Sequence, residues 1–160
     1  MKNTQCAIAL GSNLGDSLNI VENAVQILAQ TPGMKLISCS SWYCTAPVGP
    51  PQPDYINGCA LFQVQLTPSE VLERLLTIEN EFGRERREHW GARTLDLDLL
   101  LYDDVILNTP HLQLPHPRMD ERAFVLVPLA EIAPNWLHPV LKSNIQQLLH
   151  NVDCSGVKRL

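Results

Sequence analysis

No stretch of this 160-residue chain approaches the roughly 18 consecutive apolar residues of a membrane helix. The opening residues MKNTQCAIALGSN meet polar side chains too soon for a secretory leader, so no membrane association and a cytoplasmic location are expected. Five cysteines are an odd number without Cys-x-x-Cys spacing, which argues against a disulfide framework and for reduced thiols in apolar runs. Positive charge is in deficit: the net charge is −5, and no nucleic-acid partner is expected. The turn Gly11-Ser12-Asn13-Leu14-Gly15-Asp16 lacks the Gly-Lys-Ser/Thr of a P-loop and reads as a tight strand-to-helix connection rather than a phosphate cradle. Repeats and linkers are absent too, and 45% hydrophobic content over this length is enough for one core, so residues 1–160 are expected to form a single domain.

What is present concentrates in residues 83–102, GRERREHWGARTLDLDLLLY. The second half alternates, with Thr94, Asp96, Asp98 and Leu100 on one strand face and Leu95, Leu97, Leu99 and Leu101 on the other. The all-leucine face is core. Two carboxylates at i and i+2 in an apolar run need a positive partner, since unpaired buried charge costs on the order of several kcal/mol, and a divalent metal such as Mg²⁺ supplies it. Arg84, Arg86, Arg87 and Arg93 are too many guanidiniums for two aspartates, and their forks suit phosphate oxygens. Carboxylates for a metal beside arginines for phosphates describe a nucleotide-polyphosphate site. Trp90 sits between the cations, either to cover a flat ligand or to plug the core. Gly83 and Gly91 bracket a charged segment whose one large apolar side chain is Trp90, so a lid that closes when ligands are bound is expected there.

Elsewhere the pattern predicts a strand over residues 5–10 and a helix capped by Asp16, with Leu18, Val21, Val25 and Leu28 on its apolar face. Residues 34–43 read as a second strand. A stiff proline-rich loop over residues 45–53 follows, fitted either to binding or to a plain crossover. Tyr55 and Asn57 close that loop with an aromatic face and an amide edge suited to a heterocycle. Residues 59–66 alternate as a third strand. Thr67-Pro68-Ser69-Glu70 is a capping box opening a helix whose apolar positions are Val71, Leu72, Leu75, Leu76, Ile78 and Phe82, with Glu79 near its end. After an Asp103-Asp104 turn come a small hairpin, the polar residues His116, Arg118 and Arg122, an apolar helix over 124–132 and a last helical turn at 144–149. The order strand, helix, strand, strand, helix, strand predicts an α+β fold. It is a ferredoxin-like split βαβ core: a four-stranded antiparallel sheet with helices on one face, plus a C-terminal hairpin and short helices.

The segments Gly11 to Asp16, Thr45 to Asn57, Gly83-Arg84-x-Arg86, Trp90-Gly91-Ala92-Arg93-Thr94-Leu95-Asp96-Leu97-Asp98, and Leu114-Pro115-His116-Pro117-Arg118 through Glu131-Ile132-Ala133-Pro134 together resemble the 6-hydroxymethyl-7,8-dihydropterin pyrophosphokinases of folate biosynthesis. The likeness runs in register from about residue 5 to about 150. It implies a magnesium-dependent transfer of diphosphate from ATP to the pterin hydroxymethyl oxygen, releasing AMP, by a monomer. By position, Asp96 and Asp98 resemble the ligands of two Mg²⁺ ions, and Arg84 and Arg93 the phosphate-binding, catalytic arginines. Glu79, Arg86, His116 and Arg122, with Arg84, Arg93 and Asp98, match ATP contacts. Thr45, Ala46, Pro47, Val48, Tyr55, Asn57, Trp90, Asp96 and Phe124 match the pterin site, Tyr55 and Phe124 as its stacking pair. The chain departs from some relatives at His89 and His111, where an arginine stands.

Two other classes are compatible with parts of this pattern. A metal-dependent nuclease or phosphatase would use paired carboxylates, His and Arg, but the acidic balance and lack of a basic groove weigh against it. A ligand-sensing module would explain Tyr55 and Asn57 but not two carboxylates facing four arginines.

Overall fold

Alternation along β1 (Thr4–Ser12) decides the layers, because Cys6, Ile8 and Leu10 enter one core while Ala7 and Ala9 enter another. The computed structural model describes residues 4–46, 51–82 and 94–160. Helix α1 (Ser17–Ala29) buries Val21, Ala24, Val25 and Leu28, the i, i+3, i+4, i+7 stripe of a helix lying on a sheet. Leu18, predicted on that stripe, is instead exposed, and Asp16 holds the N-cap position without a side-chain hydrogen bond. In the first turn Ile20, not Leu18, packs against the core.

The predicted second strand is broken into β2 (Met34–Cys39) and β3 (Tyr43–Thr45), both paired with β4 (Tyr55–Val64). The break at Ser40–Trp42 has a local cause. Trp42 lies over Gly58, where a Cβ would come within 2.5 Å of its ring, and the Ser40 hydroxyl accepts from Cys59 N–H at 2.9 Å. Strand β4 starts at Tyr55 rather than at Cys59, so Tyr55 and Asn57 are strand residues. Asn and Gly are weak strand formers, and pairing on both sides overrides their preference.

Helix α2 (Pro68–Glu81) opens on the predicted capping box: Thr67 Oγ1 accepts from Glu70 N–H, and Glu70 Oε1 accepts from Thr67 N–H. It buries Val71, Leu75, Ile78 and Glu79 on the core side, while Leu76, predicted apolar-facing, is exposed. Strand β5 (Asp96–Tyr102) then pairs with β1, giving the antiparallel order β5-β1-β4 with β2 and β3 along the far side. The expected ferredoxin-like core is present.

Beyond it, β6 (Leu107–Asn108) and β7 (Gln113–Leu114) form the hairpin, and α3 (Ala123–Ile132) and α4 (Ile145–Leu149) follow. Strand β8 (Val157–Arg159), not foreseen from sequence, extends the sheet by pairing with β3. Val125, Leu126 and Leu129 of α3 pack with Ala7, Cys59, Leu61, Leu100 and Leu101, so the face opposite α1 and α2 is partly covered. One alternation is corrected here. A bulge sets Ala7 opposite Leu101 but Ile8 opposite Leu99, and Leu101 joins Leu100 on the α3 side instead of continuing the face of Leu97 and Leu99. No helix among the described residues is long and apolar enough to cross a membrane.

Candidate functional site

The uncovered end of the α3-side face is built from one row of paired residues. Gly11 of β1 stands opposite Asp96 on one side and Asn57 on the other, and Asn57 in turn stands opposite Tyr43. The next row is Asp98, Ala9, Cys59. Side chains of antiparallel partners share a face, so Asp96, Asp98, Tyr55 and Asn57 all project with Ala9 to the side that α3 only partly covers. Strand spacing places the Asp96 and Asn57 backbones roughly 10 Å apart.

Gly11 makes this row compact. An added Cβ would lie 2.8 Å from Asn57 Oδ1 and 3.8 Å from the Tyr55 ring, so the space a side chain would fill is already occupied. Asn57 is buried, and its amide lies across the neighbouring strands, with Nδ2 donating to Thr45 Oγ1 at 3.2 Å and Oδ1 against Gly11. Buried Asn13, in the turn read as structural, ties down the proline-rich loop: its Nδ2 donates to Gln52 Oε1 at 2.7 Å and to the Pro53 carbonyl at 3.1 Å. Ala46 is exposed at the loop entrance.

Phe124 lies in the first turn of α3, partly buried against the second core, with the Arg122 guanidinium 5.6 Å from its ring centroid. The neighbouring Val125 carbonyl accepts from Cys59 Sγ at 3.6 Å, so this turn sits above the Asp98 row. His116 is fixed by its backbone, whose N–H donates to the Leu100 carbonyl at 2.9 Å. Its Nδ1 accepts from Arg118 N–H at 3.3 Å, which assigns the ring proton to Nε2. Burial lowers the His116 pKa, the Asp98 carboxylate pulls it back up, and Arg122 and Arg118 push it further down. The ring is therefore a neutral Nε2–H donor at neutral pH, within electrostatic reach of Asp98 and Arg122.

Glu79 is the buried carboxylate of α2, and its Oε2 accepts from Leu97 N–H at 2.7 Å. It steadies β5 between the two aspartates. Its burial follows from the helix's own stripe, where position 79 falls in line with Val71, Leu75 and Ile78, but its bond to β5 does not. Glu131, quoted in the matching segments but given no role, accepts from Ser41 and Tyr43; nothing local in the sequence marks a contact across some 90 positions.

Asp96 and Asp98 form an all-oxygen pair on one face, with a glycine and an alanine as their neighbours in β1, and no group of three or more His, Cys, Asp or Glu gathers among the described residues. Two carboxylates completed by phosphate oxygens and water suit Mg²⁺, which is bound in that way more often than by a full protein cage. Pro47, Val48, Arg84, Arg86, Arg87, His89, Trp90 and Arg93, together with the expected lid, lie outside the described residues. A cleft of about 380 Å³ lined by His116, Leu107, Gln113, Pro117 and His138 includes His116 among the candidate residues but none of Asp96, Asp98, Asn57, Tyr55 or Phe124.

Comparison with known proteins places the chain in a family. The chain resembles a 2-amino-4-hydroxy-6-hydroxymethyldihydropteridine pyrophosphokinase of Synechocystis, with 51% identity over 94% of this chain and 77% of that one. It resembles the protein of the same name from Pseudomonas aeruginosa at 40% identity over 96% of this chain and 94% of that one. Among solved structures, Plasmodium falciparum HPPK-DHPS with pteroate superposes with a TM-score of 0.78 at 14% identity over 99% of this chain. This chain spans only 46% of that one, and the likeness speaks to the fold alone. The family model for 7,8-dihydro-6-hydroxymethylpterin-pyrophosphokinase (HPPK) matches residues 7–134, a span that contains the whole carboxylate and amide row, and the chain belongs to that family.

Proposed function

We propose that this chain transfers diphosphate from ATP to the hydroxymethyl group of 6-hydroxymethyl-7,8-dihydropterin, releasing AMP, as a step of folate biosynthesis. The observation that carries the reading is the row Asp96, Gly11, Asn57 on one sheet face, with Phe124 above its neighbour row. It sets a carboxylate pair about two strand spacings from an amide edge and an aromatic.

Flat substrate would stack between Tyr55 and Phe124, with Asn57, Thr45, Ala46, Pro47 and Val48 along its hydrogen-bonding edge and Trp90 covering it. ATP would extend from Asp98 past His116 and Arg122, with Arg84, Arg86 and Arg93 on its phosphates and Glu79 at the base of β5. Asp96 and Asp98 would hold two Mg²⁺ ions, whose charge neutralises phosphate oxygens and polarises the β-phosphorus. The pterin hydroxymethyl oxygen forms the new bond to the β-phosphorus, the bond from that phosphorus to the α,β-bridging oxygen breaks, and AMP leaves with the electron pair. The hydroxyl proton is released. Catalysis is then alignment of the two substrates plus arginines that meet the negative charge growing on AMP, with no covalent enzyme intermediate. One domain over 1–160, acting as a monomer in the cytoplasm, completes the proposal.

The deciding assay incubates the protein with ATP, with and without Mg²⁺ and the reduced pterin, and separates nucleotides. AMP formed only when all are present supports the reading. Release of ADP, or AMP formation indifferent to the pterin, overturns it.

A further inference from the structure

Glu131 opens a Glu-Ile-Ala-Pro run to which the proposed reaction gives no task. It lies in the last turn of α3 at the surface, yet its carboxylate is saturated by the sheet. Both oxygens accept from Ser41 N–H at 3.0 Å, Oε2 also accepts from the Ser41 hydroxyl at 2.9 Å, and Oε1 accepts from the Tyr43 hydroxyl at 2.6 Å. Short bonds to an ionised acceptor are the strong ones, and these converge on the break between β2 and β3.

What lies beyond that break gives the clamp its meaning. Tyr43 stands opposite Asn57 in the ladder, and Thr45, two residues on, accepts from the Asn57 amide. Phe124 stands at the opposite end of the same ten-residue helix. One helix thus carries an aromatic wall at its start and, at its end, a grip on the strand that bears the facing polar edge. We infer that Glu131 is a positioning residue for the pterin slot: by clamping Ser41 and Tyr43 it sets β3, and with it Thr45 and Asn57, at a fixed spacing from Phe124. This rests on the assignment of Asn57 and Phe124 to the pterin. Preset spacing spares a flat ligand the cost of ordering its own walls, so loss of the clamp shows in pterin binding rather than in ATP binding or chemistry.

The test uses Glu131→Gln, which turns a donor toward Ser41 and Tyr43, and Tyr43→Phe, which removes one hydroxyl. Each is assayed alone and combined for kcat, for KM of ATP and of the pterin, and for Tm. The clamp predicts a pterin KM raised about five- to twentyfold, with ATP KM and kcat within twofold, and a double variant no worse than the worse single one. Both KM values rising together, or a lowered Tm with no change in pterin KM, overturns it. If Glu131→Gln does not fold, Tyr43→Phe and Ser41→Ala carry the same readout. A wild-type protein that forms no AMP defeats the proposed activity and this inference with it, whereas an active wild type without the KM split defeats the inference alone.

Discussion

Replacing Gly11 with alanine tests the compact row at its centre. The backbone there does not require glycine, since the positive-φ glycines among the described residues are Gly15 and Gly33. The cost comes from space. The new Cβ would stand 2.8 Å from Asn57 Oδ1, 0.6 Å inside the 3.4 Å at which ordinary contact begins. Asn57 is only 7% exposed and cannot simply swing into solvent. If its amide pivots by that amount, its 3.2 Å bond to Thr45 lengthens to about 3.8 Å, beyond hydrogen-bond range. Loss of that bond costs about 1 kcal/mol and the displaced rotamer about 0.5–1.5 kcal/mol more. For a domain of this size a total near 2 kcal/mol corresponds to a Tm lower by roughly 4–8 °C. Because the displaced atom belongs to the amide assigned to the pterin edge, pterin KM should rise about fivefold or more while ATP KM stays within twofold. Thermal unfolding and steady-state kinetics read both quantities. An unchanged Tm with an unchanged pterin KM refutes the packing argument, and a lowered Tm with equal effects on both substrates refutes the assignment of Asn57.

Asp96→Ala and Asp98→Ala should each abolish turnover in a folded protein, and steady-state activity within about threefold of wild type would end their assignment to the metal. Thr67→Ala removes the capping box of α2 and should lower stability by about 1 kcal/mol with kcat unchanged, measured as the urea midpoint of unfolding. Glu131 supplies a pH signature: burial pushes its carboxyl pKa up, but the Tyr43 and Ser41 hydrogen bonds and Arg159 outweigh this and hold it below the ordinary 4.5. A depressed folded pKa means stability present above the unfolded value and lost as pH falls through the folded one, so the Tm gap between wild type and Glu131→Gln should be constant above about pH 5 and close below 4.5.

Local rules made much of the fold legible. The Thr67–Glu70 box and the spacing of Val21, Val25 and Leu28 are short-range patterns, and each has its expected structure. Failure came where distant partners decide. Residues 55–58 read as the close of the proline-rich loop until β1 and β3 flank them, and Val-Lys-Arg at 157–159 pairs as a strand with β3. In the site, the Asp96 and Asp98 spacing could be read because a strand puts i and i+2 on one face, whereas Tyr55 and Asn57, expected at the close of a loop, share a face because β4 begins at Tyr55. That Gly11 joins the two groups, and that Glu79 and Glu131 hold the strands carrying them, depends on registers and on separations of 18 and about 90 positions. Alternation carries no such information.

The bulge in β5 connects the misread leucine to the chemistry. Regular alternation would have set Leu101 with Leu97 and Leu99, leaving Leu100 to face α3 alone. With the bulge, Leu100 and Leu101 both join Val125, Leu126 and Leu129, and the apolar cover begins immediately after Asp98. Leu100, having no partner in β1, gives its carbonyl to His116 N–H instead. That bond carries the imidazole to the border of the covered region, where Asp98 and Arg122 act on it. The same irregularity therefore brings the second core up to Asp98 and sets a neutral hydrogen-bond donor within electrostatic reach of that carboxylate, so that the candidate site lies where α3 stops covering the sheet.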